Sequence, residues 1–178
     1  MALVLNGDGN ITGLTAGGLP DASITQAELA ASVRGNMHGC FVRRNSNQTI
    51  SSSTWTRIAF DGEIYDAGNC YDSSSNYRFQ PTVAGYYFFQ AFLFWNTSFS
   101  TGGACQLATY KNGGSYHQGR FRLATGADNN VQLTSSVYLN GSSDYLEFYV
   151  YQADAASHIL EGSSSDIRTH FSAFLIGV

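Results

Sequence analysis

The chain has 178 residues and a formal net charge of −4; only 12% of its residues are charged, while 14% are aromatic. That length suffices for one core-bearing domain, the aromatic content excludes a disordered chain, and the missing Lys/Arg surplus argues against a nucleic-acid partner. No charged-then-apolar leader opens the chain and no run of eighteen apolar residues occurs, so neither a secretory signal nor a membrane span is expected.

Residues 1–36 read as an arm. Leu3, Leu5, Ile11, Leu14 and Leu19 are single apolar anchors set among Gly and Asn, a pattern for extended chain with turns. Thr25-Gln26-Ala27-Glu28 matches a capping box and predicts one short helix over Gln26–Val33, ended by Gly35-Asn36.

From residue 37 to 178 strand-like runs alternate with turn clusters, as in an all-β sandwich. Cys40–Arg43 comes first, then Trp55–Phe60, a turn at Asp61-Gly62 and Glu63-Ile64-Tyr65. Tyr71–Asn76 is a polar turn before Arg78-Phe79. Cys105–Tyr110 and Tyr116–Leu123 flank Lys111-Asn112-Gly113-Gly114, a hairpin signal. Val131–Leu139, a turn at Asn140-Gly141-Ser142 and Tyr145–Tyr151 follow, then a polar loop over Ala153–Ser165 and a last strand over Arg168–Ile176. In Tyr145–Tyr151, Leu146, Phe148 and Val150 share the core face. Tyr145, Glu147, Tyr149 and Tyr151 share the other, which is either an interface or a solvated face.

The stretch Gln80–Trp95 departs from that alternation. Tyr87, Phe89, Ala91, Leu93 and Trp95 lie on one face and Tyr86, Phe88, Gln90, Phe92 and Phe94 on the other, and neither suits water. Four aromatic side chains at ~150–250 Å² each give roughly 600–1,000 Å², against about 300–600 Å² for the largest patch of an ordinary monomer. The second face therefore needs cover, either from loops of its own chain or from another copy. Gln90 orients the strand: a lone amide suits a wettable subunit interface better than a core. Tyr86, Phe88, Gln90, Phe92 and Phe94 are the expected interface residues.

Four pieces in order resemble the globular head of complement-type proteins, which shares its fold with the tumour necrosis factor superfamily. They are Phe79–Phe88 with its Pro81 and Gly85-Tyr86-Tyr87-Phe88, Tyr110-Lys111-Asn112-Gly113, Val137–Val150, and Phe171-Ser172-Ala173-Phe174-Leu175-Ile176. The resemblance implies a ten-strand jelly-roll β-sandwich that forms homotrimers about an axis lined by aromatic and aliphatic side chains. Two departures stand beside it, the missing collagen-like Gly-X-Y stem and the missing secretory leader; the family's metal positions do not map onto this sequence residue by residue, so none is assigned. The arm, with Asn6-Gly7-Asp8-Gly9-Asn10-Ile11-Thr12-Gly13-Leu14 and Leu19-Pro20-Asp21-Ala22-Ser23-Ile24, resembles the openings of tailed-bacteriophage virion proteins.

No catalytic constellation emerges. His38, His117, His158 and His170 sit on separate segments without metal-ligand spacing, and there is no nucleophile elbow or phosphate loop. Asp61, Glu63, Asp66 and Asp72 form an acidic cluster, open to cation binding or to service as turn carboxylates. Cys40, Cys70 and Cys105 are odd in number and lack a CxxC pair, which points to buried thiols of a protein made in a reducing cytoplasm. Tyr65, Tyr71, Tyr77 and Tyr116 are candidate glycan contacts, with packing as the alternative. The expectation is a non-enzymatic, cofactor-free homotrimer on the outer surface of a tailed-phage virion. There it serves either as capsid cement, its arm gripping the major capsid protein, or as a tail-fibre tip that joins a tail protein and binds host surface glycan.

Overall fold

A computed structural model describes Val4–Leu5, Ile11–Thr12 and residues 38–95, 99–100, 103–125 and 129–178. The chain divides into two units, Met1–Asn36 and Met37–Val178. In the first, β1 (Val4–Leu5) pairs antiparallel with β2 (Ile11–Thr12), setting Leu5 opposite Ile11. The expected helix at Gln26–Val33 and the anchors Leu3, Leu14 and Leu19 lie outside the described residues.

The second unit is a sandwich of two antiparallel sheets. Its strands are β3 (Gly39–Arg43), β4 (Gln48–Ile50), β5 (Thr56–Arg57), β6 (Gly62–Ala67), β7 (Tyr71–Asp72), β8 (Arg78–Phe79), β9 (Ala84–Trp95), β10 (Ala104–Lys111), β11 (Gly114–Arg122), β12 (Asn129–Asn140), β13 (Leu146–Gln152), β14 (His158–Leu160) and β15 (His170–Gly177). One sheet runs β11-β10-β13-β8-β7 with β5 also on β13; the other runs β4-β14-β9-β15-β3-β6 with β12 also on β9. Among the described residues the sheets hold six and seven strands, more than the expected total of ten. The surplus comes from pieces two or three residues long, such as β4, β7 and β14, that pair only where the backbone stays extended. All three correct the strand assignment: β4 carries no apolar alternation, β7 opens the supposed turn Tyr71–Asn76, and β14 lies inside the supposed loop Ala153–Ser165.

The hairpins follow local chemistry. Asn112 and Gly113 both adopt positive φ, 53° and 78°, between paired Lys111 and Gly114; this is the primed turn whose twist matches the flanking strands. After β12, the Asn140 carboxamide oxygen accepts the backbone N–H groups of Ser142, Ser143 and Asp144, while Gly141 takes φ 69°.

Between the sheets lies an aromatic core. Phe171 of β15 packs on Phe60, Tyr71, Phe79 and Phe148, the last at 4.3 Å between ring centroids. Phe89 and Tyr87 of β9 reach Phe148 and Phe79 from the same side. Tyr87 is wholly buried yet donates its hydroxyl to the Val83 carbonyl at 2.8 Å, so its polar tip is satisfied. Cys40, Cys70 and Cys105 are free and buried in this core, and burial pushes the Cys70 and Cys105 thiols up to about 12.

Candidate functional site

β9 sorts its two apolar faces cleanly. Tyr87, Phe89, Ala91, Leu93 and Trp95 are fully buried, whereas Phe88, Gln90, Phe92 and Phe94 are half-buried and Tyr86 is 55% exposed. The second set points away from the other sheet. Because β9 lies centrally, paired with β12 along one edge and β15 along the other, its outward residues gather neighbours from both.

The register builds a continuous aromatic surface. Phe92 lies opposite His170 and their rings stack at 5.2 Å and 15°; His170 meets Phe41 edge-on at 5.5 Å, and Phe41 meets Tyr65 at 6.3 Å. Phe88 lies opposite Phe174 with rings 5.4 Å apart, and Tyr86 opposite Tyr138 at the same distance. At the far end the Arg168 guanidinium stands 5.9 Å over Phe94, itself paired with Glu161 and Asp166. Five strands therefore contribute rings that only strand pairing brings together.

One polar row crosses this surface. Gln90 is flanked in register by Thr134 of β12 and Ser172 of β15, and among the described residues its amide makes no hydrogen bond. Burial holds His170 below its ordinary pKa of 6.5, although its Nδ1 contacts the Arg168 carbonyl at 2.9 Å. Neutral imidazole is thus the favoured form in the surface.

The candidate glycan contacts do not converge. Tyr65 belongs to the aromatic surface just described. Tyr71 is in the core, packed against Phe171 at 5.9 Å, and presents no ring face to a ligand. Tyr77, between β7 and β8, lies under Arg57 of β5 at 5.7 Å, and Tyr116 is exposed on β11 with its hydroxyl 3.3 Å from the Ser136 carbonyl. Their spacing along the chain carried no information about which sheet each would join.

The acidic cluster resolves into turn chemistry. Asp61 accepts the Asn45 N–H and pairs with Arg44; Asp66 accepts the Cys70 and Tyr71 N–H groups; Asp72 accepts those of Ser74, Ser75 and Asn76, which hold its carboxyl well below the usual range. Glu63 accepts the Ser73 hydroxyl. Among the described residues no group of His, Cys, Asp and Glu could hold a metal ion.

His158 does meet a carboxylate, which its isolation in sequence did not announce. Its Nε2 lies 2.7 Å from Asp154, and its ring stacks on Phe99 at 4.0 Å. Asp154 also accepts the Ser100 N–H, while its own N–H reaches the Gln152 carboxamide. The pair ties the segment before β14 to the end of the sandwich and is sealed from solvent, so it serves as a fastening.

With the geometry in hand, comparison with known proteins gives a fold and no closer kinship. No family profile matches the chain, and no curated protein matches its sequence. Solved structures do. Eiger TNF from S. frugiperda superposes with a TM-score of 0.58 at 8% identity, over 80% of this chain and 94% of that one. The globular domain of zebrafish complement 1qA gives 0.55 at 17% identity, over 79% and 97%. Murine APRIL gives 0.51 at 12%, over 78% and 99%. The domain has the jelly-roll fold of these proteins. In this jelly roll the face of the β12-β9-β15-β3-β6 sheet turned away from the core carries the aromatic surface, and its rings are set by strand register rather than by loops.

Proposed function

We propose that the chain is a self-associating structural protein of a tailed-bacteriophage virion. Three copies close their β9 faces around a shared axis, and the trimer stands on the outer capsid as a cement or decoration protein without enzymatic activity. The observation that carries the self-association is the continuous, partly exposed surface of Phe41, Tyr65, Tyr86, Phe88, Phe92, Phe94, Tyr138 and Phe174. A closed cyclic assembly covers such a surface with copies of itself and leaves no open end. The row Thr134–Gln90–Ser172 supplies hydrogen-bonding groups to the same contact, so a ring of three copies pairs amides and hydroxyls across the axis.

The virion reading rests on the arm. Its Asn-Gly-Asp-Gly-Asn-Ile-Thr-Gly-Leu and Leu-Pro-Asp-Ala-Ser-Ile segments resemble phage virion openings, and 36 residues reach at most roughly 120–130 Å fully extended, shortened where β1 pairs back on β2, a length suited to neighbouring capsid subunits. Deleting residues 1–36 should leave a soluble trimer that no longer binds capsids; a truncated protein that still decorates them would overturn this assignment. A tail-fibre tip is the second reading, favoured by the Trp- and Tyr-bearing outer face of the opposite sheet. Copy number separates the two: a cement protein scales with the capsid lattice, a fibre tip with the few tail appendages.

A further inference from the structure

The jelly roll carries a second aromatic surface, on the outer face of the β10-β13 sheet and so on the opposite side of the sandwich from β9. Its chemistry differs. The β9 face is built largely of Phe; here the rings are Trp55, Tyr110, Tyr149 and Tyr151, all half-buried. Tyr110 and Tyr149 pack at 4.4 Å, and Trp55 meets Tyr151 at 5.5 Å and Tyr110 at 6.3 Å. Ala108 lies opposite Tyr149 in the register and is fully buried.

The rim is polar and locally cationic. Register sets Tyr151 opposite Gln106 and Gln106 opposite Arg120, in one row across three strands. The carboxylate beside the cluster, Glu147, is already paired with Arg57 at 3.0 Å. Arg120 is exposed and has no hydrogen-bond or ion-pair partner among the described residues. An uncompensated guanidinium on this face, in a chain whose net charge is −4, favours an anionic ligand.

We infer that this face binds a carboxylated saccharide: sugar rings lie on Trp55, Tyr149 and Tyr151, and the carboxylate meets Arg120. Amphipathic rings supply apolar faces together with hydroxyls at their edges, which hydroxyl-rich ligands need and Phe cannot provide. Two strand spacings of ~4.8 Å separate Tyr151 from Arg120, a span that an acidic oligosaccharide covers with a ring on Tyr151 and its carboxylate at Arg120. This inference does not rest on the assembly proposed above, because it uses the opposite sheet.

The test is a glycan array bearing sialylated, uronate-containing and neutral oligosaccharides, probed with the full-length protein, followed by calorimetric titration of the strongest acidic glycan. Oligothymidylate serves as the nucleic-acid control. Acidic glycans should bind, with neutral counterparts and oligothymidylate at least tenfold weaker. Arg120→Gln, at an exposed residue without partners, should fold normally and lose tenfold or more in affinity; Trp55→Ala should do the same. Binding to no acidic glycan, equal binding of oligothymidylate, or full affinity in Arg120→Gln would each overturn the inference. The trimer reading stands or falls separately, by sedimentation of the same samples.

Discussion

Replacing Phe92 with Asp puts the proposed interface to its sharpest test. Phe92 sits mid-face, stacked on His170 and flanked by Gln132 of β12. In the isolated chain it is half-buried and its neighbours on this face reach solvent, so a carboxylate there keeps access to water and the fold survives. Assembly changes the balance. Tyr65, Tyr86, Tyr138 and Phe174 each leave 40–55% of their surface exposed. At ~150–250 Å² per side chain that is roughly 280–470 Å² per copy from these four residues, or about 7–12 kcal/mol at ~25 cal/mol per Å² if all of it is covered. An unpaired carboxylate sealed into the same contact costs several kcal/mol, and a trimer would hold three near one axis. With ~1.4 kcal/mol for each tenfold in the equilibrium constant, the trimer should weaken by several orders of magnitude. Sedimentation velocity should show wild type as trimer and Phe92→Asp as monomer, with Phe92→Leu as the assembled control. Circular dichroism establishes that the Asp variant is folded. A folded Asp variant that sediments as an intact trimer would refute placing this face at the interface.

Three further expectations follow from the core and its titratable groups. Phe171→Ala removes the ring that touches Phe60, Tyr71, Phe79 and Phe148, and should lower unfolding free energy by about 3–5 kcal/mol in urea titrations; a loss under 1 kcal/mol would contradict the packing. Burial depresses the pKa of His170, so the unfolded chain takes up its proton more readily than the folded one. Its contribution to stability is therefore full above about pH 6.5 and declines as pH falls below it, and His170→Gln should flatten that part of a melting-temperature profile. The three cysteines are buried, with Cys70 and Cys105 pushed up to about 12, so an aromatic disulfide reagent should label none in the native protein and all three in denaturant. Rapid labelling of native protein would show that the core opens.

Much of the fold was legible along the chain because strands advertise themselves with period two. The alternation of Leu146, Phe148 and Val150 with Tyr145, Glu147, Tyr149 and Tyr151 places the core side of β13 without a partner strand in view, and Asn112-Gly113 specifies its turn by the positive φ it tolerates. The short strands β4, β7 and β14 were not legible as such, since two or three residues carry no period and pair only because a neighbour offers an edge. The glycan candidates lie apart for a related reason. Tyr65, Tyr71, Tyr77 and Tyr116 look alike in sequence, yet one joins the β9 face, one the core, one the link between β7 and β8, and one β11.

By itself, the amino-acid order determined that β9 has two apolar faces and that Gln90 marks the outer one, since side-chain direction in a strand depends only on parity. Tertiary structure alone decided what lies beside those residues. Phe92 meets His170, Phe88 meets Phe174 and Tyr86 meets Tyr138 because three strands distant in sequence pair in one register. A slip of one residue in that pairing would turn the same rings to the other side, so the surface is a property of the sheet and not of any segment.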